Sequence, residues 1–538
     1  MNRKTHWLSA GAACLAIAAC GGDEPDQQQP PPEEFIARPL VMGARLHADT
    51  FDPHTVFDAL SAELIQNISS PLMQANLSNG LVETDFAAEL PEVSPDGLTY
   101  TFKLRSGVKF ADGTDVTAAA FVRSFTRGQL WKGTKSFVIS SSTVDPYVQN
   151  VESVDPLTVR FTLTKPASRF PSVTLSVPYV PTNAVFPDDM LYSSPRPYTN
   201  HPFVKDALAV QDPTQLLGSG AYRIAALDWT DLPDSGGLKV FSRVQLKANP
   251  EFYGERVHAD PVTLVYKATE QELYDGLLDG SVNVYRQVAD PTLLAQAFAN
   301  PDLNVSESGT TLRFLAINTN DCIDNGASPS EIKGCPLNLR KAFAKAMDRD
   351  ALVKLHDGQG EAAYSVVPRS LWSHVDTFPG LNLDEARALL SEEGYTAENK
   401  LKLAVLVFGS QSLADAVKAS LEATGAIEVR VTSNLAEAGS VSMVPIGWVA
   451  DYPDPASFID VLKFSPFQGL NPQVEAAGRE TNYLVRQQLY EQLQRDLAEQ
   501  IPVIPLTFRY TYMATQKNVV APIGPAERLL FKNVRFTD

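Results

Sequence analysis

The sequence has few of the residues and motifs that most enzymes and metalloproteins use. Its 538 residues include four cysteines and seven histidines, and no two histidines have the spacing of metal ligands on one helix face. It contains no GxSxG, HExxH, P-loop, GxGxxG or CxxC motif. We therefore expect no metal, no cofactor and no catalytic activity. Only a hydrolase with two catalytic carboxylates would escape this argument, because paired acids have no fixed spacing.

Positive charge is also scarce. Lysine and arginine total 45 against 63 aspartates and glutamates, which gives a formal net charge of −18 at pH 7. The basic residues form no cluster along the chain. A surface of this charge repels nucleic acid and anionic lipid, so we expect no nucleic-acid partner.

The amino terminus resembles a bacterial lipoprotein signal. Residues 1–19 have a basic tip and an apolar run that is too short to span a bilayer as a helix, which needs about 20 apolar residues. The four residues that end at Cys20, IAAC, resemble a lipobox, in which the signal is cut before the cysteine and the cysteine receives lipid. We predict lipidation of Cys20, and a plain secretory signal is the alternative.

Residues 20–36 are predicted to form a disordered tether. The stretch GGDEPDQQQPPPEEF combines consecutive prolines with several acids and cannot bury a core. A lipidated cysteine followed by such a stalk would hold the protein at a membrane surface. The alternative is a disordered tail without an anchor.

Two further cysteines, Cys322 and Cys335, lie in the polar segment NDCIDNGASPSEIKGCP. In the oxidising compartment that an export signal implies, they are well placed to form a disulfide. A pair of free thiols is the alternative. We expect no metal site here, since no histidine lies nearby.

Apolar periodicity divides the rest of the chain into two kinds of structure. From about residue 156 to 266 the pattern is mostly that of strands and turns. From about 381 to 433 helix and strand alternate, and the helices end at Gly394 and Gly425. This order predicts parallel strands joined by crossover helices. A long helix and a proline-interrupted strand follow in residues 482–515.

Eight stretches resemble, in the same order, segments of the large extracytoplasmic solute-binding proteins of family 5, which serve ABC importers of peptides and nickel. These stretches are EVSPDGLTYTFKLRSGVKFADGTDVTAAAFVRSF, GSGAYRI, LKANPEFYG, LAINTN, LRKAFAKAMDRDALV, VVP, LDEARALLSEEGY and GWVADYPDP. The resemblance covers essentially everything after the tether. One such motif would be weak, but eight in sequence are a strong signal.

The resemblance implies an α/β fold of the periplasmic-binding-protein type (large type II, cluster C), with two lobes around a cleft and an extra inserted domain. Lobe I would be discontinuous and consist of residues 37–70, 191–305 and 505–538. Residues 71–190 would form the inserted domain, and residues 306–504 would form the α/β lobe II.

The resemblance also implies a function. We expect a monomeric, lipid-anchored protein that captures peptides, above all oligopeptides, in the cleft and delivers them to an ABC permease. It would lie in the periplasm of a Gram-negative bacterium or on the outer face of the cell membrane. Three alternatives stay open. The same fold could bind a sugar, an opine or a nickel chelate. The chain could also be a surface-anchored hydrolase with paired cleft carboxylates, or a receptor or adhesin without a transporter.

The GWVADYPDP segment is the predicted centre of the site. In peptide-binding members that resemble this chain, the acid at the Asp451 position receives the α-ammonium group of the ligand. The backbone at Gly447 and Val449 would pair with an extended peptide as an added strand. Trp448 and Tyr452 flank these positions and are predicted to contact the ligand. The alternative is a solvated acid beside two core aromatics.

Further site predictions are drawn from the first lobe. Phe57, Asp58 and Ala59 are expected to touch the ligand, although relatives often have an acid where this chain has Phe57. Residues 440–446 contain no base, whereas relatives that hold the carboxylate of a short peptide often have an arginine there. A ligand carboxylate would therefore be met elsewhere. Asp454 is predicted to cap a helix that begins at the following proline.

Overall fold

A computed structural model of the chain describes most residues from Ile36 onward. The described residues are 36–45, 51, 59–130, 148–172, 218–231, 239–324, 334–355, 359–450, 452–459, 469–524 and 527–537. The predicted signal peptide, the lipidation site Cys20 and nearly all of the tether lie outside them. These parts of the interpretation stay predictions.

The described structure mixes helices with a larger number of strands. The strands are β1 (Arg38–Ala44), β2 (Met73–Ala75), β3 (Val82–Thr84), β4 (Glu92–Val93), β5 (Thr99–Lys103), β6 (Val148–Asp155), β7 (Thr158–Leu163), β8 (Tyr222–Asp231), β9 (Lys239–Ala248), β10 (Ala259–Tyr266), β11 (Val284–Val288), β12 (Leu303–Ile317), β13 (Gly360–Ala362), β14 (Leu401–Leu406), β15 (Ile427–Thr432), β16 (Met443–Trp448), β17 (Val503–Gln516), β18 (Val519–Val520) and β19 (Arg535–Phe536).

The helices are spread over the whole described chain. They are α1 (Ala59–Ile68), α2 (Ala118–Leu130), α3 (Glu270–Asp279), α4 (Pro291–Ala299), α5 (Leu337–Ala346), α6 (Arg349–Lys354), α7 (Leu383–Glu392), α8 (Gln411–Glu422), α9 (Pro455–Ile459), α10 (Asn471–Arg479) and α11 (Tyr483–Gln500), with 3₁₀ turns at Leu435–Glu437 and Phe531–Asn533. None of these described helices is long and apolar enough to cross a membrane.

Local sequence signals set the ends of several helices. The Thr269 hydroxyl accepts a hydrogen bond from the Glu272 amide, and the Thr269 amide donates one to the Glu272 carboxylate, which forms a capping box at the start of α3. The same helix ends at Gly280, which has a left-handed backbone (φ 83°). Asp290 caps α4, and proline takes its first position. Each of these ends is therefore set by residues next to it in the sequence.

Among the described residues, eleven strands form one mixed sheet. Its order is β15-β14-β16-β12-β17-β11-β1-β10-β9-β8, with β13 also paired to β17. β14 and β15 are parallel and joined by α8, which confirms the predicted crossover arrangement. The proline-interrupted strand predicted late in the chain is β17, and it lies at the centre of the sheet.

Two long antiparallel strands, β12 and β17, connect the two halves of this sheet. The amino-terminal half of β12 pairs only with β17, whereas its second half also pairs with β16. β17 pairs with β13 near its start and with β11 near its end. The strands that flank β12 and β17 therefore change from one end of these two strands to the other. This is the arrangement needed to connect two lobes through a shared backbone.

The change occurs at a bulge in β12 between Ser308 and Thr311. A Cβ added to Gly309, inside the bulge, would lie 2.5 Å from the carbonyl oxygen of Arg509 and 2.6 Å from Cδ1 of Tyr510. Since neither β-strand can move without disturbing its ladder, only glycine lets the two strands approach this closely.

A separate sheet with the order β4-β5-β7-β6 lies within the predicted inserted domain. Its central strands alternate as predicted, with Tyr100 and Phe102 buried on β5 and Phe161 buried on β7. These rings belong to the same continuous apolar cluster as Phe343 of α5. The core around β1, β8, β9 and β10 is a separate cluster.

The two cysteines Cys322 and Cys335 form a disulfide in the structure, with an S–S distance of 2.03 Å. Both are buried. The bond closes the polar excursion between β12 and α5 and holds the start of α5 beside the end of β12.

Replacement of Gly309 by alanine should destabilise the protein. The added methyl group overlaps the backbone of β17, and such overpacking typically costs about 1–3 kcal/mol. We expect the free energy of unfolding, measured by urea denaturation, to fall by that amount. The matched control is Gly439→Ala, where an added Cβ meets nothing within 4 Å. Equal stability of the two variants would contradict the close crossing of β12 and β17.

Candidate ligand-binding site

β16 leads directly into the GWVADYPDP segment. One edge of β16 pairs with β12 from Met443 opposite Ile317 to Trp448 opposite Leu312. The other edge pairs with β14 at a single position, Val405 opposite Met443. Beyond this position, no strand among the described residues pairs with that edge. As far as the described residues show, the backbone of β16 is therefore open to a further strand on one side.

The end of β16 also has space in front of its side chains. Gly447 is exposed, and an added Cβ would meet no atom within 4 Å. Val449, two residues later, is 56% exposed. The protein's own packing does not explain a glycine at this position, in contrast to the bulge at Gly309.

The two aromatic residues of the segment face the interior. Trp448 is half-buried, and its Nε1 donates a hydrogen bond to the carbonyl oxygen of Ser457 at 2.7 Å. Tyr452 is 2% exposed and belongs to the apolar core that contains α5 and α11. Both rings thus support the segment from the core side. Their contact with a ligand stays a prediction.

A buried ion pair fixes the end of the segment. Both carboxylate oxygens of Asp454 accept hydrogen bonds from the Arg486 guanidinium, at 2.8 and 2.9 Å. The side chain of Asp454 is fully buried, and that of Arg486 is 8% exposed. This bidentate geometry is the strongest form of a carboxylate–arginine contact.

Arg486 lies between two aromatic rings of the same core. Its guanidinium carbon is 5.0 Å from the ring centre of Trp372 and 5.2 Å from that of Tyr490. Burial opposes the charge on Arg486, but the Asp454 carboxylate outweighs it and raises the pKa of the guanidinium. The Arg486 guanidinium therefore keeps its positive charge at physiological pH.

Asp454 has two further contacts. Its Oδ1 accepts a hydrogen bond from the Ala456 amide at 2.9 Å at the start of α9, as the sequence predicts for a helix cap. Its Oδ2 accepts a hydrogen bond from the Ser172 hydroxyl at 2.9 Å. Sequence reasoning missed Arg486 and Ser172 as partners. The sequence signal was an arginine on the buried face of α11, at the spacing of Tyr490, Leu493 and Leu497.

The structure describes only some of the predicted site residues. Gly447, Trp448 and Val449 lie together at the end of β16, and Tyr452 follows within four residues. Ala59 is the first residue of α1. The remaining predicted ligand residues lie outside the described residues; they are Phe57, Asp58 and Asp451.

Acidic and histidine side chains do not gather into a metal site in the described part of the chain, where no three potential ligands form a suitable group.

Comparison with known proteins identifies relatives along most of the chain. The family described as bacterial extracellular solute-binding proteins, family 5 (middle), matches residues 82–468. Di/tripeptide-binding protein 1 of Pseudomonas aeruginosa is 24% identical over 497 residues, which cover 81% of this chain and 83% of the relative. Glutathione-binding protein GsiB of Salmonella typhimurium is 26% identical over 548 residues, which cover 96% of this chain and 95% of the relative.

The fold also matches solved structures. HbpA2 from Haemophilus parasuis aligns with a TM-score of 0.77 and 20% sequence identity, over 93% of this chain and 100% of that chain. This likeness confirms the predicted α/β fold of the periplasmic-binding-protein type.

Replacement of Asp454 by alanine should strongly destabilise the protein. The change leaves the Arg486 guanidinium buried without its counter-charge, and removal of one partner of a buried ion pair typically costs about 3–5 kcal/mol. Urea denaturation measures this loss.

The control for this prediction is Glu475→Ala, which removes an exposed ion pair with Arg479 on α10. Exposed pairs of this kind contribute at most about 0.5 kcal/mol. Similar losses in the two variants would mean that Asp454 and Arg486 do not form the buried pair.

Proposed function

Because the chain belongs to the bacterial extracellular solute-binding proteins of family 5, we propose that it captures peptides in the cleft between its lobes and delivers them to an ABC permease. It acts as a monomer held outside the cytoplasm by lipid on Cys20 and by the tether of residues 20–36. It catalyses no reaction. The named relatives that bind di- and tripeptides or glutathione support peptides as the ligand class.

The open edge of β16 is the observation that carries this proposal. An extended peptide satisfies its backbone hydrogen bonds by joining such an edge as an additional strand. This mode of recognition uses only the ligand backbone, so it accepts many side chains. Gly447 and Val449 supply the backbone groups, and the absent side chain at Gly447 leaves the peptide room to approach.

Asp451 supplies charge recognition. It follows β16 after Ala450, so a peptide paired along β16 would have one end near this carboxylate. A carboxylate binds an ammonium group far more strongly in a closed, water-poor cleft than in bulk water. We therefore assign the α-ammonium group of the peptide to Asp451.

The first experiment is native mass spectrometry of the gently purified protein, followed by calorimetry with trialanine. The wild-type protein should release peptides of varied sequence and narrow length. Asp451→Asn should lose them and bind trialanine roughly 10- to 100-fold more weakly, because a charged hydrogen bond is removed. Both proteins should bind N-acetyl-trialanine equally weakly.

The control for this experiment is Asp415→Asn, which changes an acid on α8 that accepts a hydrogen bond from the Gln411 side chain, one helical turn earlier. It should behave like the wild type. A single non-peptide mass that Asp451→Asn retains would reject the proposal and direct the search to sugars, opines or chelates.

A second experiment tests the edge of β16 by steric blocking. Gly447→Leu adds a side chain in open space, so thermal unfolding should be unchanged while trialanine affinity falls by at least about 10-fold. Gly439→Leu adds the same side chain in open space in the turn before β16 and should leave both properties unchanged. Full affinity in Gly447→Leu would show that the ligand does not lie along β16.

A further inference from the structure

Two arginines lie on the face of the sheet beside Gly447. Arg313 on β12 is paired with Gly447 on one side and with Thr507 on the other. Arg509 is two residues after Thr507 on β17 and is paired with Gly360. Paired residues, and residues two apart on a strand, share one face. Arg313 and Arg509 are therefore diagonal neighbours on that face, flanked by two glycines.

Neither arginine has a partner that neutralises it. Within the described part of the chain, the guanidinium groups of Arg313 and Arg509 form no hydrogen bond and no ion pair, and Nε of Arg313 is buried without an acceptor. Burial, and then the charge of Arg509, lowers the pKa of Arg313. Arg486, by contrast, is met by a bidentate carboxylate, and the buried Arg349 donates hydrogen bonds to the carbonyl oxygens of Pro505 and Pro379.

Arg313 is half-buried and Arg509 is exposed, so the cost of an unpaired charge falls on Arg313. Acids are abundant in this chain, which has a formal net charge of −18, yet none of the described acids forms an ion pair with Arg313. The face they occupy borders the open space at Gly447. The buried, unsatisfied Nε of Arg313 needs an explanation, and a ligand bound on this face would supply an acceptor.

We propose that Arg313 and Arg509 bind the terminal carboxylate of a short peptide. This inference rests on the proposed function and supplies the cation that residues 440–446 lack. Gly447, beside Arg313, is four residues from Asp451, a span of at most about 14 Å in an extended chain. A ligand held by its ammonium group at Asp451 and by its carboxylate at the two arginines is thus a few residues long.

The test measures binding by calorimetry with trialanine, trialanine amide and glutarate. The amide lacks the terminal negative charge, and glutarate has carboxylates but no ammonium group. The variants are Arg313→Gln and Arg509→Gln. The control is Arg223→Gln, which changes an exposed arginine on β8 at the far edge of the same sheet.

The wild-type protein and the control should prefer trialanine over its amide by roughly 10- to 100-fold. Each arginine variant should lose this preference and bind the amide as the wild type does. Its thermal midpoint should not fall, because no partner within the protein is removed. The inference would be overturned if both variants still preferred trialanine over its amide. It would also be overturned if the variants lost affinity equally for trialanine and its amide and had a lower thermal midpoint.

Failure of the proposed function gives a different result. If the wild type binds neither trialanine nor its amide, peptide capture is rejected. Glutarate binding then tests whether the two arginines form a carboxylate site. Glutarate binding that Arg313→Gln abolishes supports a carboxylate site at the two arginines. No glutarate binding overturns it.

Discussion

The close crossing of β12 and β17 at Gly309 is the constraint on which the rest of the structure depends. These two strands belong to both halves of the eleven-stranded sheet, and each half adds its own strands to them. Any side chain at Gly309 would enter the backbone of β17. The register on both sides of the bulge, and with it the placement of β16 beside β12, therefore follows from one position without a side chain.

That register determines which residues can meet a ligand. β12 holds β16 along its whole length, whereas β14 reaches only its first residue, so the free edge of β16 is a consequence of strand length. The buried pair of Asp454 and Arg486 fixes the chain beyond β16, with Ser172 adding a contact from the predicted inserted domain. The segment between these two anchors contains Asp451, so its chain ends are held before a ligand arrives.

Much of this could be predicted from the sequence because the signals are local. The capping residues Thr269 and Asp290 and the terminal Gly280 act within a few positions of the helix ends that they set. The motif GWVADYPDP indicates the family and the site region. The partners of Asp454 could not be predicted, since Arg486 and Ser172 are 32 and 282 residues away and no pattern links them. The openness of Gly447 and the crowding of Gly309 are also invisible in sequence, where both are glycines in strands.

Arg486 and Arg313 differ in how the protein meets their charge. Arg486 is more buried than Arg313, yet its charge is stabilised because Asp454 meets it with two hydrogen bonds. Arg313 has no acid opposite it, and Arg509 adds a second positive charge. A fold gains nothing from such a pair by itself. The proposed ligand carboxylate would supply the missing counter-charge at the face where Gly447 leaves the space.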